Sequence, residues 1–175
     1  GTDNVAVGYE ALKANTTGAS NTALGAQALQ TNTTGTLNTS IGRESLSSNT
    51  TGTKNTAVGK SALQGNTTGD NNTAIGWDAL NANTTADFNV AVGNAALALN
   101  TTGYSNTSVG YNALNANTTG LGNVALGQGS LSSNTTANDN TALGRISLTN
   151  NTTGTRNTGV GRGALNANTT AHDNA

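Results

Sequence analysis

The chain has 175 residues, among them 23 Gly, 7 Lys or Arg and 8 Asp or Glu, and its formal net charge at pH 7 is −1. Because it contains no Cys, it can form neither a disulfide framework nor a zinc site built on thiolates. The near-zero charge argues against binding to nucleic acid, and no apolar run approaches the roughly 18–20 residues of a membrane span, so we expect no nucleic-acid partner and no membrane insertion by this segment.

The chain repeats itself every 17 residues from Asn4 onward without insertion, and the first copy reads NVAVGYEALKANTTGAS. A fixed internal period is typical of a solenoid, in which each copy forms one coil that stacks on its neighbours. We therefore treat residues 4–173 as a single repeat array and expect 1–3 and 174–175 to be partial copies of a longer array. The ten copies, numbered here as coils 1 to 10, start at residues 4, 21, 38, 55, 72, 89, 106, 123, 140 and 157.

Positions 1 to 5 of each copy predict a short strand that ends in a turn. Position 1 is always Asn, position 2 is Thr or Val, position 3 is a small residue, position 4 is Val, Ile or Leu, and position 5 is always Gly. This alternation has the period of two that is typical of a strand, and Gly commonly ends such a segment. We expect the side chains at positions 2 and 4 to point inward together.

Positions 6 to 11 are variable, except that position 8 is always Ala or Ser and position 9 is always Leu. The apolar pair at positions 8 and 9 predicts a second wall opposite the first strand. Segments such as RESLSS and QGSLSS are rich in Ser, which argues against a helix and leaves a strand as the favoured conformation. The alternative is a single helical turn, because segments such as YEALKA contain Ala, Leu and Glu, which favour helix.

Positions 12 to 15 read Asn-Thr-Thr followed by Gly or Ala. In a stack with a coil spacing of about 4.8 Å, equivalent Asn amides are expected to hydrogen-bond to one another and form ladders. Adjacent Thr residues in an extended segment point to opposite faces, so we expect one Thr column inside and one outside. The Gly at position 15 predicts a turn with positive φ. The predicted ladder residues are Asn4, Gly8, Leu12, Asn15, Thr16 and Thr17 in coil 1, Asn72, Gly76, Leu80, Asn83, Thr84 and Thr85 in coil 5, and their equivalents in every other copy.

Every charged residue lies at position 6, 7, 10, 16 or 17, which is typical of solvent-facing turns. Three aromatic residues share position 6 and are candidate surface contacts, namely Tyr9, Trp77 and Tyr111. Four apolar residues at variable positions are candidates for contacts between chains, namely Leu37, Leu99, Leu121 and Ile146.

These patterns predict an all-β parallel β-solenoid of ten coils, about 45–50 Å long at the spacing of stacked strands. Each coil buries about two large aliphatic side chains, worth roughly 1.5–3 kcal/mol each, whereas ordering the backbone costs about 1–2 kcal/mol per residue. A single column of coils therefore has a thin core, and self-association is the usual remedy for such a scaffold.

Residues for catalysis or cofactor binding are not found. The one His, His172, lies at a variable turn position, the carboxylates are scattered, and no G-x-G-x-x-G opens a helix. We expect no enzyme activity, no cofactor and no metal site. Each N-T-T matches the N-glycosylation sequon, but ten glycans stacked about 4.8 Å apart would not fit, so a structural use of these Asn residues is favoured.

The motif NVAVG at 4–8 and 89–93, with NTAIG at 72–76, resembles the head repeats of trimeric autotransporter adhesins. The longer pattern NTAxGxxALxxNTTG is similar to repeats of bacterial and phage tail-fibre-like proteins. The resemblance implies a left-handed parallel β-roll, a homotrimer and an extracellular location on a cell surface or a virion tail fibre. The typical head repeat is a few residues shorter, and the extra length here lies in the L-x-x-N-T-T-G half.

Two functions are consistent with these observations. The first is a structural and interaction module, a rigid rod segment of an extracellular fibre or adhesin that mediates attachment, since variation is confined to surface turns. The second is ice binding through the arrays of Thr at positions 13 and 14. The expected orientation of the Thr side chains argues against ice binding. A flat ice-binding surface needs outward-facing Thr in a T-x-T arrangement, whereas adjacent Thr side chains in a strand face opposite ways.

Overall fold

A computed structural model describes residues 1–175 and shows an all-β parallel solenoid with 17 residues per turn and no helix, which confirms the predicted fold class at this level. Each coil contributes one strand, at positions 2 to 4. The strands are β1 (Val5–Val7), β2 (Thr22–Leu24), β3 (Thr39–Ile41), β4 (Thr56–Val58), β5 (Thr73–Ile75), β6 (Val90–Val92), β7 (Thr107–Val109), β8 (Val124–Leu126), β9 (Thr141–Leu143) and β10 (Thr158–Val160).

The strands form a single ten-stranded parallel sheet in sequential order. Their register places equivalent positions side by side, so that Thr73 pairs with Val90 and Ile75 pairs with Val92. Each connection carries the chain once around the coil and returns it to the equivalent position of the next copy. Because every copy has 17 residues, this register is the same for all neighbouring strands.

Hydrogen bonds between coils continue outside the sheet. In coil 5 the backbone N–H groups of Leu80, Ala82 and Thr84 donate to carbonyl oxygens of the next coil at 3.0, 2.9 and 3.1 Å. Backbone groups around most of the circumference are thus paired although only three residues per coil are in a strand. This pairing satisfies polar groups that the stacking would otherwise leave without partners.

Positions 6 to 11 form neither a strand nor a helical turn, so both alternatives for this segment are wrong. In coil 5, Asp78 and Leu80 adopt left-handed conformations with φ of 53° and 52°. Two successive turns result, closed by hydrogen bonds from Ala79 N–H to the Gly76 carbonyl oxygen at 3.4 Å and from Asn83 N–H to that of Leu80 at 3.3 Å. Left-handed residues interrupt both an extended chain and a right-handed helix.

The prediction that positions 2 and 4 point inward together is wrong. Position 3 faces the interior instead, so that Ala74 is fully buried while its neighbour Ile75 is 41% exposed. The walls of the coil lie too close for a large side chain on the strand: where position 3 is Ser108, its hydroxyl donates to the Ala113 carbonyl oxygen across the interior at 2.7 Å. The period of two is correct, but the opposite face of the strand is inside.

The interior of a coil is filled by one Leu, two small residues and two Asn. In coil 5 these are Leu80, Ala74, Ala79, Asn72 and Asn83, and each is fully buried. The Leu comes from the turn wall at position 9, where its left-handed backbone directs it toward the strand. Burial of the Leu side chain offsets the cost of about 1–2 kcal/mol for that backbone conformation.

The invariant Gly at position 5 is explained by close stacking. Gly76 has φ of 137°, and a Cβ added to it would lie 2.5 Å from the carbonyl oxygen of Gly93 in the next coil. A side chain would separate the coils at this corner, so only Gly is compatible with the register.

The prediction of a positive φ at position 15 is also wrong. The left-handed residue of this turn is at position 17, occupied for example by Asn71 with φ of 57° and Phe88 with φ of 60°. Position 15 is buried, as at Ala86 and Ala137. Gly or Ala is thus present at position 15 because the site is small.

Candidate interaction surfaces

Two columns of Asn amides brace the coil from inside. Asn72 donates its backbone N–H to Oδ1 of Asn55 at 2.9 Å and its side-chain Nδ2 to the Ala86 carbonyl oxygen at 2.8 Å. Asn83 donates Nδ2 to Oδ1 of Asn66 at 2.8 Å and to the same Ala86 oxygen at 3.0 Å. The ladders at positions 1 and 12 therefore meet at the carbonyl of position 15, and they hold the outer surfaces in a fixed arrangement.

Both Thr columns lie on the outside, so the predicted interior Thr column is wrong. Thr84 is half-buried and donates its hydroxyl to the Thr101 carbonyl oxygen at 3.1 Å, whereas Thr85 is exposed. The segment is bent rather than extended, because the N–H groups of Thr67 and Thr68 both donate to the Thr84 carbonyl oxygen, at 2.9 and 3.2 Å. The alternation expected of a strand does not apply to a bent segment.

The outer face of the sheet carries an aliphatic column, defined as the position-4 residues of all ten coils. Val7, Ile75 and Leu126 are 55%, 41% and 38% exposed. Position 2 flanks the column with half-buried Thr or Val in the inner coils. The column consists of Val7, Leu24, Ile41, Val58, Ile75, Val92, Val109, Leu126, Leu143 and Val160.

No charged residue lies at positions 2 or 4, and the charges are gathered on the turns. Three exposed ion pairs form there, Lys13 with Glu10 at 2.6 Å, Arg43 with Glu44 at 2.7 Å, and Arg156 with Asp173 at 2.6 Å. A hydrogen bond from Lys13 lowers the pKa of Glu10 below its usual value. Exposed pairs of this kind contribute little to stability.

Hydrogen bonding with Arg156 lowers the pKa of Asp173, and the same bond raises the pKa of the Arg156 guanidinium. Both groups are solvated, so this pair links the turns of coils 9 and 10 without forming a buried charged site. The face of the sheet is therefore uncharged, with the aliphatic column beside a column of Thr and Val, and the charges lie on the turns.

The three aromatic residues at position 6 do not form one platform. Tyr9, Trp77 and Tyr111 are 72%, 56% and 54% exposed and belong to coils 1, 5 and 7. The Lys60 ammonium lies 5.7 Å from the centre of the Trp77 ring, which is a cation–π contact. Of the three, only Tyr111 lines a surface cavity.

The apolar residues at variable positions are dispersed over the surface. Leu37 and Leu99 are exposed, and Leu121 and Ile146 are half-buried. They lie at four different positions of the coil, so they form no continuous patch.

Sequence reasoning missed a third side-chain ladder, at position 16. Asp70 Oδ1 accepts a hydrogen bond from Thr53 N–H at 2.6 Å, and Asp87 Oδ1 accepts one from Asp70 N–H at 2.7 Å. Where position 16 is Asp, Asn or His, the side chain can thus cap the backbone of the preceding coil. The sequence feature that could have revealed this ladder is the recurrence of Asp, Asn and His at position 16, which is otherwise variable.

His172 has the same role at the end of the array. Its Nδ1 accepts a hydrogen bond from Thr155 N–H at 3.0 Å. No group of three or more His, Cys, Asp and Glu residues is placed to hold a metal ion. The structure contains no helix long and apolar enough to cross a membrane.

Comparison with protein-family models, curated proteins and solved structures finds no match to this chain.

Proposed function

We propose that this chain is a rigid rod segment of an extracellular fibre or adhesin, on a bacterial surface or a phage tail fibre, and that it mediates attachment as part of a self-associated assembly. The single observation that supports this proposal most directly is the aliphatic column. A column of ten aliphatic side chains without an adjacent charge is larger than the scattered exposed apolar residues of ordinary monomers.

A second copy of the chain is the partner that fits the column best. The column is continuous, because equivalent residues of the in-register strands stack at about 4.8 Å. A partner must match that spacing over ten coils to bury all of it, and another copy has the same spacing by construction. Association would also supply the apolar burial that one thin coil column lacks.

The motif's resemblance to trimeric adhesin heads favours three copies around one axis. In a closed assembly of this kind each chain presents the same strip to its neighbours. The turns, which hold the charges and the aromatic residues, then remain outside and are free to contact a host or environmental surface.

The Asn ladders support a rod function. Internal amides and backbone groups hydrogen-bond from coil to coil, as from Asn83 to Asn66 and from Leu80 N–H to the Ala96 carbonyl oxygen. Opening one coil breaks bonds with both neighbours, so we expect a stiff and protease-resistant segment.

Multi-angle light scattering over a concentration series tests the proposal. We expect the wild-type chain to have an integer multiple of the 17.2 kDa chain mass, three in the proposed trimer. The double variant Ile75→Asp/Val109→Asp places charge in the aliphatic column and is expected to dissociate to the single-chain mass.

The matched control is Thr85→Asp/Thr119→Asp, in the same two coils, at exposed Thr positions outside the sheet. It is expected to keep the wild-type mass. A wild-type chain that stays at 17.2 kDa at every concentration would contradict self-association. Equal masses of the two Asp variants would contradict the assignment of the interface to the column.

Ice binding is the second candidate, favoured by the outward placement of both Thr columns. The Thr84 hydroxyl is held by its hydrogen bond to the Thr101 carbonyl oxygen, so the array is ordered. A thermal-hysteresis assay tests it: the candidate predicts freezing-point depression that is lost in Thr68→Lys/Thr85→Lys/Thr102→Lys. Absence of hysteresis in the wild-type chain removes it.

A further inference from the structure

The surface has one cavity, of about 290 Å³, on the turn wall of coils 7 to 9. Its lining comes from positions 6, 7 and 10, outside the strands. Tyr111, Asn112 and Asn115 line it from coil 7, Gln128 and Gly129 from coil 8, and Ile146 from coil 9. The volume is near the small end of ligand sites, which span roughly 300–1,000 Å³, so it suits a ligand of about one ring.

The cavity is present because Gly129 has no side chain. The neighbours of Gly129 in the position-7 column are Asn112 and Ile146. A Cβ added to Gly129 would have one neighbouring atom within 4 Å, the Ile146 Cγ2 atom at 3.5 Å. The missing side chain thus leaves a gap between the two neighbouring coils.

Several uncharged polar groups at this gap are free of partners within the chain. The Asn112 side chain makes no hydrogen bond. Asn115 donates Nδ2 to the Ala95 carbonyl oxygen at 2.9 Å, which leaves its Oδ1 as an acceptor. Gln128 Oε1 accepts from Arg145 Nε at 3.2 Å, which leaves its Nε2 as a donor.

The apolar part of the lining consists of the half-exposed Tyr111 and the Ile146 side chain. The combination is an aromatic ring, an aliphatic wall and unpaired amide donors and acceptors, with no carboxylate in the lining. Such a site matches a ligand that has one apolar C–H face and a rim of neutral hydroxyl groups.

We infer that this cavity binds a neutral pyranose ring, with Tyr111 against its C–H face and Asn112, Asn115 and Gln128 hydrogen-bonded to its hydroxyls. The inference rests on the proposed attachment function and names the chemical class of the surface ligand, a neutral glycan. The lining is separate from the aliphatic column, so one chain can use both surfaces at once.

Saturation-transfer difference NMR on the full chain tests this inference. The neutral probes are methyl α-D-glucopyranoside, methyl β-D-galactopyranoside and N-acetyl-D-glucosamine, and the acidic probes are D-glucuronic acid and N-acetylneuraminic acid. We expect saturation transfer to the ring protons of at least one neutral probe. The signal should be lost in Gly129→Gln, which fills the cavity, and in Tyr111→Ala.

The variants have matched controls. Gly129→Gln is expected to fold, because Gln27 occupies the same position in coil 2 with φ of 61°, close to the 64° of Gly129. Gly163→Gln makes the same change at the other position-7 Gly, outside the cavity, and Tyr9→Ala removes an equivalent aromatic residue from coil 1. Both controls should keep the signal, and circular dichroism checks that all variants are folded.

Absence of transfer to every neutral probe would overturn the inference, as would transfer to the acidic probes alone or an unchanged signal in Gly129→Gln. The outcome is independent of the light-scattering test, because sugar binding here needs only one chain. An assembled rod that binds none of the probes would refute the sugar site alone. A monomer that binds a neutral probe would refute the proposed assembly alone.

Discussion

The two walls of each coil are built in opposite ways. On the strand wall the small residue Ala74 is inside and the large aliphatic Ile75 is outside, whereas on the turn wall the large Leu80 is inside and variable residues are outside. The interior therefore has space for one large side chain per coil, and the turn wall supplies it. The second aliphatic residue of each coil belongs to an outer surface, which is why its presence in all ten copies points to a partner.

The same deletion should have unequal effects on the two walls. Leu80→Ala leaves a cavity in the interior and should lower the free energy of unfolding by about 2–5 kcal/mol. Ile75→Ala removes a partly solvated side chain and should cost less than about 1 kcal/mol in the separated chain. Chemical denaturation in dilute solution measures both, and equal losses would contradict the assignment of inside and outside.

The Asn ladder should be nearly as sensitive as the Leu column. Asn83→Ala removes the partner of Asn66 Oδ1 and of the Asn100 amide inside the coil, and should cost about 2–3 kcal/mol. Asn81→Ala in the same coil removes a part-buried amide at a position where Ser47 and Ser132 also occur, and should cost about 0.5 kcal/mol or less. Comparable denaturation midpoints for the two variants would show that the ladder is not a main source of stability.

Introducing Val on the strand wall should destabilise the fold at position 3 and not at position 2. Ala74→Val overpacks the interior and should lower the free energy of unfolding by about 1–3 kcal/mol. Thr73→Val is the control, because Val5, Val90 and Val124 occupy that position in other coils. Thermal unfolding compares them, and a stabilising effect of Ala74→Val would indicate a wider interior than the one described.

The smallest effect is expected on the exposed turns. Because Lys13 lowers the pKa of Glu10 below its usual 4.5, the carboxylate stabilises the folded chain above that pH. Its contribution is lost as the pH falls through the lowered pKa. Glu10→Gln should slightly lower the melting temperature at neutral pH and have no effect well below pH 4.5. Asp78→Asn, at the same position in coil 5 without an ion pair, is the control, and an equal loss of melting temperature at neutral pH would show that the ion pair is not the cause.

The period, the parallel stacking and the buried Asn columns follow from the sequence because repetition constrains every coil to one conformation. Which face of the strand is inside could not be read from alternation, since Thr73 and Ile75 alternate with Ala74 equally well in either orientation. That choice depends on the distance between the walls, which is determined by turns with left-handed residues such as Leu80 and Asn71. Propensity does not predict a left-handed Leu, and the cavity beside Gly129 exists only once the coils are stacked.

Thiol labelling tests the orientation of the strand most directly, since the natural chain has no Cys. Single variants Ala74→Cys and Ile75→Cys are exposed to a thiol reagent under native conditions and, separately, to mild oxidation. We expect Ile75→Cys to be modified in separate chains or to form a disulfide between chains when they are assembled, and Ala74→Cys to do neither. Reaction of Ala74→Cys with no reaction of Ile75→Cys would contradict the burial of position 3 and the exposure of position 4.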